Sequence, residues 1–198
     1  MPKVVDHQQY RKELLSKSFN LFAQKGYATI TMRQIAQELG VSTGTLYHYF
    51  PSKESLFLQL VLEQTQEDTL NFQSATKDTG ALSERIATLM EFVDYNKDYF
   101  CQQILIWIDF YRTKEPQEFF ENEILKQANK KVREVIRDYL HLEDQTVVNL
   151  VVNLLHGLLL VRLFEGETIS FSEQGILLKN MITSYLEQKQ NGRNSYEK

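Results

Sequence analysis

The sequence predicts an all-α protein, a small three-helix head followed by a longer helical body. Two observations carry this. Apolar side chains recur at i, i+3 and i+4 in one segment after another. The segments begin and end on residues that cap helices, and the 198 residues include only three Pro and eight Gly. The chain reads without strand alternation, internal repeat or low-complexity tract.

Residues 10–25 put Leu14, Leu15, Phe19 and Phe22 mostly on one helical face. Lys25 suits the last turn and Gly26 supplies a left-handed C-cap. Thr31 as N-cap with Gln34 three residues on is a capping box, and Ile30 with Ile35 makes the hydrophobic staple. The helix they open runs over 32–39 and ends at Gly40, with Val41 packing inward. Ser42 caps a third helix, 43–49. Pro51-Ser52 stops it, and Ser52 caps a fourth helix from Lys53 to about Phe72. Residues 73–81 read as a turn, and 82–100, 102–112, 117–140, 145–164 and 171–188 read as further helices, about nine in all. Pro116 fits the first position of its helix, and Ser170 with Glu173 makes a second capping box. The tail from Gln188 reads as frayed.

Composition excludes several classes. The apolar fraction of 42% is too high for a disordered chain. A single cysteine, Cys101, excludes a disulfide scaffold and a four-cysteine metal site. The first residues, MPKVVDHQQYRKELL, lack the apolar stretch of a secretory signal. The oiliest segment, 147–164, is interrupted by Asn149, Asn153, His156 and Arg162, so it reads as a buried helix and not as a membrane span, and a cytoplasmic protein is expected. Charge is uneven: residues 1–50 hold six Lys or Arg against three Asp or Glu, whereas the rest holds 16 against 23. A basic head on an acidic body confines any contact with phosphates to the head.

The informative constellation is 31–53. Two short helices joined by Gly-Val-Ser have the helix-turn-helix arrangement, with Ile35, Ala36, Leu39, Val41 and Leu46 as its core. Thr43, Gly44, Thr45, Tyr47 and His48 form its exposed set, groups suited to base edges, thymine methyls or phosphates. The second helix carries no Arg, so it offers no bidentate reading of guanine. Gly44 lets backbone approach a duplex closely. Spacing and caps alone fit an ordinary helical hairpin equally well.

The run TMRQIAQELGVSTGTLYHYFPSKESLF (31–57) resembles the DNA-binding domain of the tetracycline-repressor (TetR) family of bacterial transcriptional regulators. Phe22, Gly26, Tyr27 and the pattern from Gly40 to Lys53 follow that family's motif. Tyr49 departs from it, standing where many members carry a phosphate-binding His. The resemblance implies a helix-turn-helix domain at 1–52 and a helical ligand-binding and dimerisation domain at 53–198. It implies that Thr43, Thr45, Tyr47 and His48 meet the major groove or its edge, and that Thr31, Tyr49 and Lys53 hold phosphates. The alternative for Tyr47 or Tyr49 is packing against the first helix. The implied partners are double-stranded DNA with an inverted-repeat operator, a second copy of the chain and a small molecule that releases the DNA.

The body is dense in aromatics over 92–120. Phe92, Tyr95, Tyr99, Trp107, Phe110 and Tyr111 are candidates for lining a cavity for a small apolar or aromatic ligand, and a solid core is the alternative. Asp94, Asp98 and Asp109 among them would favour a cationic ligand if they faced it. For the dimer, Leu154, His156, Gly157, Leu158 and Val161 are the candidates, because the helix carrying them is apolar nearly all round. No metal spacing links the histidines, no cofactor motif is present, and HExxH, GxSxG, CxxC and a Gly-rich phosphate loop are missing, so an enzyme is not expected. The competing class is a helical protein-binding adaptor without specific DNA binding.

Overall fold

Helices account for every regular element in the computed structural model, which describes residues 6–76 and 80–196. They are α1 (His7–Lys25), α2 (Met32–Glu38), α3 (Thr43–Tyr49), α4 (Lys53–Ala75), α5 (Leu82–Tyr95), α6 (Lys97–Tyr111), α7 (Pro116–Glu121), α8 (Glu123–Leu140), α9 (Gln145–Glu165) and α10 (Phe171–Tyr196). Among the described residues there are thus ten helices, one more than expected.

Caps set the head's boundaries. The Asp6 carboxylate accepts from the amides of Gln8 and Gln9 and opens α1. Gly26 ends α1 at a φ of 77°. Thr31 and Gln34 form the full capping box of α2, and the Ser42 hydroxyl accepts from the Thr45 amide at 2.9 Å to open α3. Ser52 caps α4 through the Ser55 amide at 3.0 Å.

Two helix breaks differ from expectation, and both lie at asparagine. The helix expected over 82–100 stops at Asn96, whose side-chain amide donates back to the Phe92 carbonyl at 2.8 Å. The helix expected over 117–140 is broken at Asn122, whose side-chain oxygen accepts from the amides of Ile124 and Leu125 and starts α8 afresh. Asn serves well as an N-cap because a short polar side chain satisfies backbone groups that helix ends leave open. Toward the C-terminus, α10 continues past 188 to Tyr196. In the expected turn at 73–81, residues 73–75 still belong to α4, and 77–79 lie outside the described residues.

The chain forms two compact units. The first comprises the residues up to Leu70 together with Gln102–Lys131. Its core sets Leu15, Phe22, Ile35, Leu46, Phe50 and Phe57, none more than 3% exposed, around the three head helices and the start of α4. Phe110 of α6 joins them, with its ring stacked on Phe57 at 4.2 Å between centroids and edge-on to Tyr27 at 4.9 Å.

The second unit comprises Asn71–Cys101 and the residues from Val132 onward. There α10 lies against α5 closely enough that a Cβ on Gly175 would meet Met90 Cγ at 2.8 Å. By length and composition alone α9 could cross a membrane. Seven of its residues, from Val147 to Leu159, are nonetheless buried inside this unit, as in a core helix.

Candidate nucleic-acid interface

Backbone capping and a small core orient α3. Leu46 points inward with no exposed surface, and Ile35 and Ala36 of α2 are sealed beneath it, while Leu39 and Val41 are half-buried. That leaves Gly44, Tyr47 and His48 exposed on α3, with Tyr47 at 48%, and Thr43 and Thr45 half-exposed. Thr45 is held further by a 2.7 Å contact between its hydroxyl and that of Ser42. Thr31 is exposed at the start of α2, where its hydroxyl meets the Gln34 side-chain oxygen at 2.9 Å.

Tyr49 adopts the alternative considered for it. Its ring is half-buried and packs edge-on to Tyr10 of α1, at 5.6 Å between centroids. Its hydroxyl remains on the exposed side and meets Nδ1 of His7 at 2.7 Å.

Lys53 also turns inward. Its ammonium donates to the carbonyl oxygens of Tyr27 at 2.7 Å and Ile30 at 2.9 Å, with Ala28 further off at 3.4 Å. It lies 4.5 Å from the centroid of the Tyr27 ring. Burial lowers the Lys53 pKa, partly opposed by the charge of Asp109. Burial, aided by Glu54, pushes the Tyr27 phenol up to about 12. The carbonyls of the turn after α1 are thereby satisfied by the first residue of α4.

The same turn is pinned from α6, where the Asp109 carboxylate accepts from the Ala28 amide at 2.8 Å. Beside it Lys114 bridges to Glu54 at 2.6 Å. The contacts of His7 and Lys114 were not expected from the sequence, and Asp109, considered there only for a cationic ligand, binds the head's own backbone. The partners of His7, Asp109 and Lys114 lie 42, 81 and 60 residues away, and no local pattern announces such contacts.

The six aromatics proposed for a ligand are divided between the two units. Phe92, Tyr95 and Tyr99 lie in the second unit; Trp107, Phe110 and Tyr111 lie in the first. Tyr95 is 91% exposed, and Phe110 is sealed in the head core at 1%. Phe92 and Tyr99 are half-buried and both neighbour Phe100, at 6.2 and 5.5 Å between centroids. Trp107 is half-buried, and Tyr111 packs edge-on to Phe119. Each nearby Asp has a partner within the chain: Asp94 with Lys97, Asp98 with Arg162 and Asp109 with Ala28.

Of the residues proposed for the dimer, Leu158 is only 5% exposed within its own chain, because α9 serves as a core helix. Leu154 and Val161 are half-buried, His156 is exposed, and a Cβ on Gly157 would meet nothing within 4 Å. Among the described residues, the large exposed apolar groups of α9 and α10 are instead Leu150 and Phe164 of α9 and Ile176, Leu177, Met181 and Tyr185 of α10.

Residues 14–60 match the profile of the bacterial regulatory proteins of the tetR family. The likeness to the tetR family is carried by that segment. Over 112 residues the chain is 33% identical to the HTH-type transcriptional regulator BetI of Brucella suis biovar 1 (strain 1330), a stretch that spans 56% of this chain and 56% of that relative. The chain therefore matches about half the length of this relative.

Similarity of fold extends further. A protein described as a transcriptional regulator from Pseudomonas aeruginosa PAO1 superposes with a TM-score of 0.72 at 16% identity, over 92% of each chain. Another, from Saccharomonospora viridis and solved in complex with choline, gives 0.65 at 19%, over 89% of this chain and 97% of that one. At these identities the likeness is one of fold. The tetR family is a family of regulators, not of enzymes.

Proposed function

We propose that this protein is a cytoplasmic, DNA-binding transcriptional repressor of the tetR family that binds an inverted-repeat operator as a homodimer and is released by a small molecule. The observation that carries the reading is the outward face of α3. Gly44, Tyr47 and His48 are exposed and Thr43 and Thr45 half-exposed on the outward face of a head whose other side is a sealed core. A short helix with small polar groups and one phenol fits a major groove, and Gly44 lets its backbone approach the edges of the bases. Residues 1–52 are the DNA-binding domain in this reading and 53–198 carry ligand control and dimerisation. Thr31 and Tyr49 face phosphates, whereas Lys53 organises the head from within.

A two-fold dimer presents two such heads to half-sites about 34 Å apart. Its seam is the exposed apolar face of α9 and α10, with Gly157 allowing close approach. The releasing ligand is an apolar or aromatic compound, with Phe92 and Tyr99 among its contacts.

Selection of bound duplexes from a random-sequence library tests the reading. Enrichment of an inverted repeat, bound more weakly as salt rises, supports it. Recovery of a pool no different from the starting library overturns it.

A further inference from the structure

The contact between His7 and Tyr49 joins the first turn of α1 to the last turn of α3, with 2.7 Å between Nδ1 and the phenolic oxygen. Both residues present their polar atoms to solvent on the side that carries His48, whose ring is edge-on to Tyr49 at 5.2 Å. A tyrosine hydroxyl has one proton to give. When Nδ1 of His7 is bare, that proton is spent on His7. The phenolic oxygen then turns only lone pairs outward, which repel a phosphate oxygen. When Nδ1 carries a proton, the direction reverses: His7 donates to the phenolic oxygen, and the Tyr49 proton is free for an acceptor outside the protein.

We propose that His7 is a positioning residue for the DNA backbone, and that binding of a phosphate at Tyr49 is coupled to uptake of a proton by the His7 imidazole. The inference rests on the DNA-binding reading above. Protonated His7 both reverses the hydrogen bond and adds a positive charge beside the phosphate, so the two effects act together. The neutral tautomer with its proton on Nδ1 reverses the bond without adding charge, which keeps the coupling moderate.

The groups around His7 fit this role. From α3 come Tyr49 and His48, neither of them a fixed charge. On α1 itself, Tyr10 packs on Tyr49, while Arg11 is drawn away to the Phe50 ring and the side-chain oxygen of Gln59 on α4. The amides of Gln8 and Gln9 both donate to Oδ1 of Asp6, which holds that carboxylate at the start of α1. A phosphate seated at the Tyr49 hydroxyl would meet a protonated His7 directly across the His7–Tyr49 contact.

The test uses the full chain and the tightest duplex recovered by selection, with affinity measured at constant ionic strength between about pH 8 and about pH 6. One coupled proton changes affinity by at most about tenfold per pH unit. Wild type is expected to bind about three- to tenfold more tightly at the lower pH. Replacing His7→Gln supplies an amide that can donate to Tyr49 at every pH, so its affinity should be flat. Tyr49→Phe should bind more weakly and lose most of the pH dependence. His48→Gln, which removes a ring from the proposed groove face, is expected to bind more weakly at every pH while keeping most of the wild-type ratio of affinities between the two pH limits. A wild type without pH dependence, or a His7→Gln variant that titrates like wild type, overturns the proposal. Failure to recover any duplex would instead overturn the DNA-binding reading beneath it.

Discussion

The Lys53 ammonium donates to the carbonyl of Tyr27 at 2.7 Å while lying 4.5 Å from the centre of the same residue's ring. One cation thus binds both the backbone and the side chain of the residue that follows the Gly26 bend. It ties α4 to the head from within, at a residue for which the family resemblance implied a contact with a DNA phosphate.

Lys53→Met is therefore expected to act on stability before it acts on DNA. Losing charged hydrogen bonds to carbonyls should cost about 1–3 kcal/mol, read as a lower urea midpoint. Under conditions where the variant remains folded, the slope of log affinity against log salt should stay at the wild-type value. A slope smaller by about one would place the ammonium on a phosphate in the complex.

The residues proposed to face the groove should separate affinity from folding. Tyr47→Phe and Thr45→Ala are each expected to weaken operator binding by about 1 kcal/mol, roughly fivefold, with little change in circular dichroism. Repeating the duplex selection with Thr45→Ala should relax the preference at one position in each half-site. Unchanged affinity and preference would remove Thr45 from the groove.

Two surfaces of one helical pair should respond differently to charge. Ile176→Glu with Met181→Glu places carboxylates on exposed apolar positions and is expected to give folded monomers by light scattering. Leu158→Glu buries a charge at a position only 5% exposed and should cost at least about 3 kcal/mol, giving loss of helicity in place of clean dissociation. A dimer that survives the double substitution would put the seam elsewhere.

Asp144 provides a pH-dependent link between the last two helices. Its carboxylate caps α9 through the Thr146 amide and accepts from Lys189 and from the Tyr185 hydroxyl of α10. The Lys189 hydrogen bond, followed by that of Thr146, holds its pKa below the usual carboxylate range. A depressed native pKa stabilises the fold above the unfolded value, about 4, and that stability is lost as pH falls through the native value. Asp144→Asn should lower the melting temperature at neutral pH, and the gap from wild type should close below about pH 4. A gap that persists in acid would mean that the carboxylate charge is not what matters.

Much of the head was legible because its signals are local. A capping box places donor and acceptor three residues apart, so Thr31 with Gln34 and Ser42 with Thr45 set the starts of α2 and α3 without reference to the rest of the chain. The helix breaks at Asn96 and Asn122 were harder to read. An asparagine within an otherwise continuous apolar period gives little sign of whether its side chain will turn back onto the backbone. The candidate site was partly legible. The exposure of Tyr47 and His48 follows from helical period, but the direction of Tyr49 and Lys53 does not.

The sequence by itself determined the helical class, the helix-turn-helix and the segment that resembles the tetR family, because these depend on spacings shorter than about one turn of helix or on a contiguous motif. Tertiary structure alone decided where the polar groups went. It paired Asp109 with Ala28, His7 with Tyr49 and Lys53 with three carbonyls of one turn, and it buried Leu158 while exposing Ile176 and Met181. An apolar run carries no record of which side will meet its own chain. A charged side chain goes to whichever unsatisfied backbone group the packing brings within about 3 Å, and that group is known only once distant helices have met.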